Sequence, residues 1–192
     1  MSLAPVLVTA PAELPITVED LKAHLRVDSA DEDVLIEIYA GAATAQLDGY
    51  HGILGRALVT QTWRQDFDSF DDLRLPLGPV SSVTHVKYYD GDNALQTLSS
   101  SVYRLLTDES GGYLELVSGE AWPSIYTRDD AVQVTFVAGV AVDQIPSDIR
   151  AAIMLMAADL YANRETVGEG LSMVPMSMTV DRLIARHRRI SV

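Results

Sequence analysis

The apolar residues of this chain change period twice. Over about 16–54 and again over about 146–165 they recur at helical spacing, and over 55–140 they alternate as in strands. Neither helical stretch is long enough to close a hydrophobic core alone, so the two must pack on each other while the strands between them leave and return. This pattern predicts an α+β protein: a discontinuous α-helical bundle (16–54 with 146–165) carrying an inserted antiparallel β-sheet or sandwich region (55–140), then a link and a C-terminal arm (166–192). At 192 residues with 48% hydrophobic content, such a chain buries roughly 70% of its unfolded surface, enough for a real core.

Local signals mark the elements. Thr17 followed by Asp20 has the form of a capping box, and Ser29 with Glu32 repeats it. Leu35, Ile38, Ala42 and Ala45 fall on one face of a longer helix, which Gly49, Gly52 and Gly55 end. Val59, Gln61, Trp63, Gln65 and Phe67 share a face if extended. Val83 to Tyr89 is β-branched and aromatic, and Asp90-Gly91 reads as a hairpin turn. Tyr103 to Leu106 and Tyr113 to Val117 are short strands split by Gly111-Gly112, and Val132, Val134 and Phe136 alternate with Gln133 and Thr135. Pro146 suits a helix start. Ile149, Ile153, Met156 and Leu160 form a stripe within a run, Ala151 to Ala158, that is apolar nearly all round. A helix of that kind is buried on more than one side, so these four residues, with Leu35 and Ile38, are expected in bundle or subunit contacts. Gly168, Gly170 and Pro175 predict a flexible link. The final helix, about 179–188, carries Val180, Leu183 and Ile184 together with Arg182 and Arg186, and Arg188 and Arg189 follow.

Charge and composition exclude several functions. The formal net charge is −13, from 14 basic and 27 acidic residues. General nucleic-acid binding needs a basic footprint, and only the C-terminal arginines supply one. The chain has no cysteine, which removes disulfides, thiolate metal sites and cysteine nucleophiles. No apolar run approaches the roughly 20 residues of a membrane span. Val6-Leu7-Val8 lacks a preceding basic region and is interrupted by Pro5, Pro11 and Pro15, so a signal peptide is not expected.

The candidate chemistry is thin. His24, His51, His85 and His187 show no metal-ligand spacing. Asp31-Glu32-Asp33 is an acid cluster at a helix start, where the helix dipole favours acids. Asp90, Asp92 and Asn93 open like a calcium loop, but Ala94 follows where a ligand is needed, so a turn is the better reading. Gly49, Gly52 and Gly55 lack the strand-to-helix context of a nucleotide fingerprint. Trp63 and Trp122 are expected in the core. No catalytic, cofactor-binding or metal-ligating residue is predicted, and no enzyme. The C-terminal arginines exceed what a helix C-terminus needs and suggest either a docking segment or a solvated tail.

A set of short phrases gives the chain a family likeness. Gly55-Arg56-Ala57-Leu58-Val59-Thr60-Gln61-Thr62-Trp63 is followed by Leu75-Pro76-Leu77-Gly78-Pro79-Val80, Val83 to Tyr89, Trp122-Pro123, Val134-Thr135-Phe136-Val137-Ala138-Gly139, and Leu160-Tyr161-Ala162-Asn163-Arg164-Glu165. In this order they resemble the head–tail connector (adaptor) proteins of tailed bacteriophages and gene transfer agents. The resemblance implies a non-enzymatic structural virion protein, a helical bundle with a β insertion. It would form a ring, commonly of twelve subunits, below the portal, and extend the DNA channel and join capsid to tail. The implied partners are the portal protein, a stopper or tail-completion protein, and further copies of the chain; DNA would pass without specific binding, and no membrane is involved. A subunit that is monomeric in solution fits that role. The implied locations are the host cytoplasm during assembly and then the head–tail junction of the particle. The resemblance also implies that the C-terminal segment reaches the portal, which makes Arg182, Leu183, Ile184, Arg186, Arg188 and Arg189 the docking candidates. A stopper or tail-completion protein is the alternative, followed by an uncharacterised metal-dependent enzyme using the acids at 31–33 and by a DNA-binding module using the C-terminal arginines.

Overall fold

The structure, a computed structural model, describes residues 3–164 and 177–189. It is a mixed α+β protein with antiparallel sheets. The described residues fall into two compact units, one built from the stretch up to Ala12 with Thr60–Val140, the other from Glu13–Val59 with the stretch beginning at Ala141.

The helical unit contains α1 (Val18–Leu25), α2 (Asp33–Leu47), α3 (Ser147–Ala162) and α4 (Met178–Ile184). The first capping box forms: Thr17 Oγ1 accepts from the Asp20 N–H at 3.0 Å, and the Asp20 carboxylate accepts from the Thr17 N–H at 3.3 Å. The second does not. α2 begins at Asp33 with Glu32 as an N-cap that makes no side-chain bond, and the Ser29 hydroxyl turns instead to Asp31 at 2.6 Å. Ser29 lies too far ahead of the first helical turn to cap it. The core of the unit gathers Leu21, Ile36, Leu47, Leu54, Ile149 and Ile153, all almost fully buried.

On α2 the buried face is Ile36, Ala40, Ala43 and Leu47. The stripe expected there lies on the other side: Leu35 is half-buried, Ile38 is 59% exposed, and Ala42 and Ala45 are exposed. The reason is compositional. Asp33 and Glu37 are the only charged residues in α2, so hydrophobic periodicity scarcely distinguishes one face from another. On α3, Ile149, Ile153 and Met156 are buried and Leu160 is half-buried.

The sheet unit has a five-stranded antiparallel sheet in the order β1-β2-β8-β4-β5 and a three-stranded antiparallel sheet in the order β3-β7-β6. Its strands are β1 (Val6–Thr9), β2 (Gln61–Phe67), β3 (Leu73–Arg74), β4 (Val80–Tyr89), β5 (Leu95–Leu98), β6 (Tyr103–Asp108), β7 (Gly111–Leu116) and β8 (Val132–Ala138). β8 is central, with Phe136 opposite Trp63 of β2 and Val134 opposite Val86 of β4. Gln61, Trp63, Gln65 and Phe67 are all buried along β2. Trp122 stacks on Phe70, ring centroids 4.6 Å apart and planes 5° from parallel.

The β4–β5 hairpin turns at Asp90, whose carboxylate accepts from the N–H groups of Asp92 and Ala94; Asn93 takes a left-handed φ of 59°. The β6–β7 turn does not fall at the two glycines. Gly111 and Gly112 lie inside β7. A Cβ on Gly112 would stand 2.9 Å from Val80 Cγ2, so this glycine lets β7 approach β4 closely. The stretch from Thr60 to Val140 enters and leaves the sheet unit side by side, where the Thr60 N–H donates to the Val140 carbonyl at 3.1 Å.

Candidate functional site

The residues that first invite a chemical reading are dispersed. Each acid of the 31–33 cluster has its own partner: Asp31 the Ser29 hydroxyl, Glu32 the Tyr161 hydroxyl and the Arg164 guanidinium, and Asp33 the Lys22 ammonium at 2.6 Å. Arg164 lies 2.7 Å from Glu32, and with Tyr161 it holds the Glu32 carboxyl below the usual range. These contacts tie the start of α2 to the end of α3. Among the described residues no group of three or more acids and histidines is placed to hold a metal ion, and no helix is long and apolar enough to cross a membrane. His24 is exposed on α1, His51 packs edge-on to Tyr50, and His85 sits half-buried on β4 with its pKa lowered by burial and by Lys87.

The C-terminal segment has a definite geometry. Ser177 caps α4, its hydroxyl accepting from the Thr179 N–H at 3.3 Å. Val180 and Ile184, one turn apart, are 3% and 0% exposed and pack α4 into the helical unit beside α3. Ile184, expected as an apolar anchor for a partner, is buried in this conformation. Apolar spacing along α4 puts it with Val180 in the chain's own core. Leu183 is half-buried and Arg182 is exposed.

Beyond α4 the segment is tied down by polar contacts. Arg186 lies 2.6 Å and His187 2.8 Å from the Asp148 carboxylate at the start of α3. Partial burial pushes the Asp148 carboxyl up, but the hydrogen bonds from His187 and Arg186 outweigh it and hold the group below its ordinary value. Arg188 pairs with Asp181 at 2.6 Å, and the Arg189 N–H donates to the Leu54 carbonyl at 3.0 Å. The predicted link through Gly168, Gly170 and Pro175 lies outside the described residues. Of the six docking candidates, Arg182, Arg186 and Arg188 are exposed, Leu183 and Arg189 are half-buried, and Ile184 is buried. Sequence reasoning missed Asp148, the acid on which Arg186 and His187 converge, because 38 residues separate it from Arg186.

The C-terminal segment therefore presents Arg182, Arg186 and Arg188 on a folded surface. Comparison with known proteins agrees with the likeness read from the sequence. Residues 15–89, from α1 through β4, match the model of the phage gp6-like head-tail connector protein family. The chain is also similar to a chain in the neck of an empty GTA particle computed with C6 symmetry: 26% identity, TM-score 0.77, covering 99% of this chain and 97% of that one. Chains in the virion of a native gene transfer agent particle and in the neck of a native GTA particle computed with C12 symmetry share the fold, each with a TM-score of 0.74 at 24% identity over 99% of this chain and 97% of theirs. No curated protein matches the chain.

Proposed function

We propose that this chain is a head–tail connector, a ring subunit in the neck of a gene transfer agent or tailed-phage particle that joins the portal to the stopper or tail proteins. The observation that carries this reading is the end-to-end likeness, 99% of the chain at a TM-score of 0.77, to a chain from a particle neck. The necks solved with C6 and C12 symmetry favour a ring for this chain as well. The role needs no catalysis. It needs a body that stacks in a ring and a segment that grips the portal. The net charge of −13 suits a channel wall past which DNA slides, since like charge keeps phosphates from sticking.

The portal-gripping segment is the C-terminal one, read as a folded surface. Arg182 presents a guanidinium group able to pair with a portal carboxylate in bidentate fashion, and Arg186 and Arg188, exposed but paired with Asp148 and Asp181, would share or exchange those partners on docking. Leu183 adds a partly exposed apolar contact, and Ile184 holds the segment in shape from beneath. Deleting the segment would remove the core residues Val180 and Ile184 and confuse docking with folding, so point variants test it better. The portal ring encoded in the same genome is mixed with the full chain and with Arg182→Glu and Arg188→Glu variants, then imaged by electron microscopy. A ring seated under the portal with the parent chain, and weakened at least tenfold by the charge reversals, is the expected result. An intact portal that the parent chain never decorates would sink the connector reading.

A further inference from the structure

The outward face of α2 is an apolar stripe that the chain's own packing leaves bare. Val34 is 72% and Ile38 59% exposed; Ala45 is exposed and Gly41 half-buried. These positions stand at i, i+4, i+7 and i+11, one face of a helix over three turns. No charged side chain falls among them. In a chain of net charge −13, copies repel one another, so a contact between copies requires faces of this kind.

Gly41 points the same way. Glycine inside a helix is unfavourable relative to alanine, and here a Cβ would meet nothing within 4 Å. The chain's own fold does not need a glycine there. A helix approaching from outside does, because small residues let helix axes come within the roughly 8–10 Å of close packing.

The chain also carries the complement. The outward face of α3 holds Ala151, Leu155, Ala158 and Ala162, with the same i, i+4, i+7, i+11 spacing and no charge; the first three are half-buried and Ala162 is exposed. Laid antiparallel, the two stripes interlock in one register. Val34 faces Ala162, Ile38 faces Ala158, Gly41 faces Leu155 and Ala45 faces Ala151, so no two bulky side chains collide. Laid parallel, Ile38 would meet Leu155 while Gly41 faced Ala158, crowding one layer and leaving a gap in the next, and both defects destabilise.

We infer that the outward face of α2 docks antiparallel on the outward face of α3 of a neighbouring copy. The contact joins two different faces, so each copy offers one and receives on the other, and repetition builds a ring if the rotation closes. The inference rests on the ring reading above and adds the surface that makes the ring. A single three-turn stripe covers far less than the roughly 800 Å² per partner of a standard interface. The contact therefore forms when a portal holds the copies side by side, and the free chain stays monomeric.

The chain has no cysteine, which makes a cross-linking test clean. Ile38→Cys and Ala158→Cys variants are mixed on the portal of the same genome and treated with a short thiol cross-linker; the doubly substituted chain is treated in parallel. The expected result is a link between the two variants, none within either alone, and a ladder of covalent oligomers from the double variant. In a second arm, Gly41→Leu holds or raises the thermal midpoint of the free chain by roughly 2–4 °C yet lowers ring occupancy on the portal at least tenfold. A ring visible under the portal without the 38-to-158 link, a link of position 38 to itself, or full occupancy by the Gly41→Leu variant overturns this inference and leaves the connector reading standing. Failure of the parent chain to bind an intact portal overturns both.

Discussion

Asp148 Oδ2 lies 2.8 Å from His187 Nε2, and that contact, shared with Arg186, fastens the segment after α4 to the first turn of α3. Replacing the acid with Asp148→Asn removes a charge-assisted pair and is expected to cost about 1–2 kcal/mol of local stability. Hydrogen exchange of peptides covering 177–189 measures it: protection there should fall while that of α3 is kept. The pH dependence has a definite sign. The Asp148 carboxyl is lowered in the folded protein, so its contribution is complete above the ordinary aspartate value near 3.9 and is lost as pH falls through the lowered one. The segment should loosen only in that acid range, and an equal loosening at pH 7 would contradict the assignment.

Ile184 and Arg182 lie two positions apart and should behave oppositely. Ile184 is 0% exposed, and Ile184→Ala should cost about 2–5 kcal/mol by leaving a cavity. Arg182 is exposed, and Arg182→Ala should stay within about 0.5 kcal/mol. Urea unfolding of the two variants compares them directly. Similar losses would mean that α4 is not packed as described.

Gly112 of β7 packs tightly against Val80 of β4. Gly112→Ala places a methyl group 2.9 Å from Val80 Cγ2 and 3.2 Å from Val80 Cβ, which demands a backbone shift. The expected cost is about 1–3 kcal/mol, read from the denaturant midpoint. Combining it with Val80→Ala should recover part of that loss, since the second change removes the obstructing methyl groups.

Asp108 receives both guanidinium nitrogens of Arg74 at 2.9 Å each. The hydrogen bonds from Arg74 bring its pKa down to about 2. Carboxyl NMR titration should find Asp108 ionised well below the range of its neighbours. In an Arg74→Ala variant its midpoint should climb back towards about 3.9.

The sequence was most readable where the cause is local. The Thr17 and Asp20 capping box needs four consecutive residues and formed as read. The alternation from Gln61 to Phe67 needs only a sheet with one buried side. Reading failed where the deciding partner is distant. α2 carries apolar residues on nearly every side, so only the packed structure shows that Ile36 and not Ile38 turns inward. β1 has four residues, all exposed, and without a buried face there was no alternation to detect. The arginines after Val180 pointed the C-terminal segment outward, to a partner or to solvent, and masked the one-turn spacing of Val180 and Ile184. The acid that receives Arg186 and His187 sits in the first turn of α3, 38 residues from Arg186, where no local pattern announces it.

The hydrogen bond from Thr60 to Val140 has an evolutionary consequence. The chain goes out and comes back side by side, so the intervening residues form a closed loop whose length hardly alters the ends. Loop-closure entropy grows only with the logarithm of loop length. A lineage can therefore enlarge, trim or exchange everything from 60 to 140 while the helices on either side keep their partners. Selection can reshape one unit against whatever it touches without having to reinvent the other.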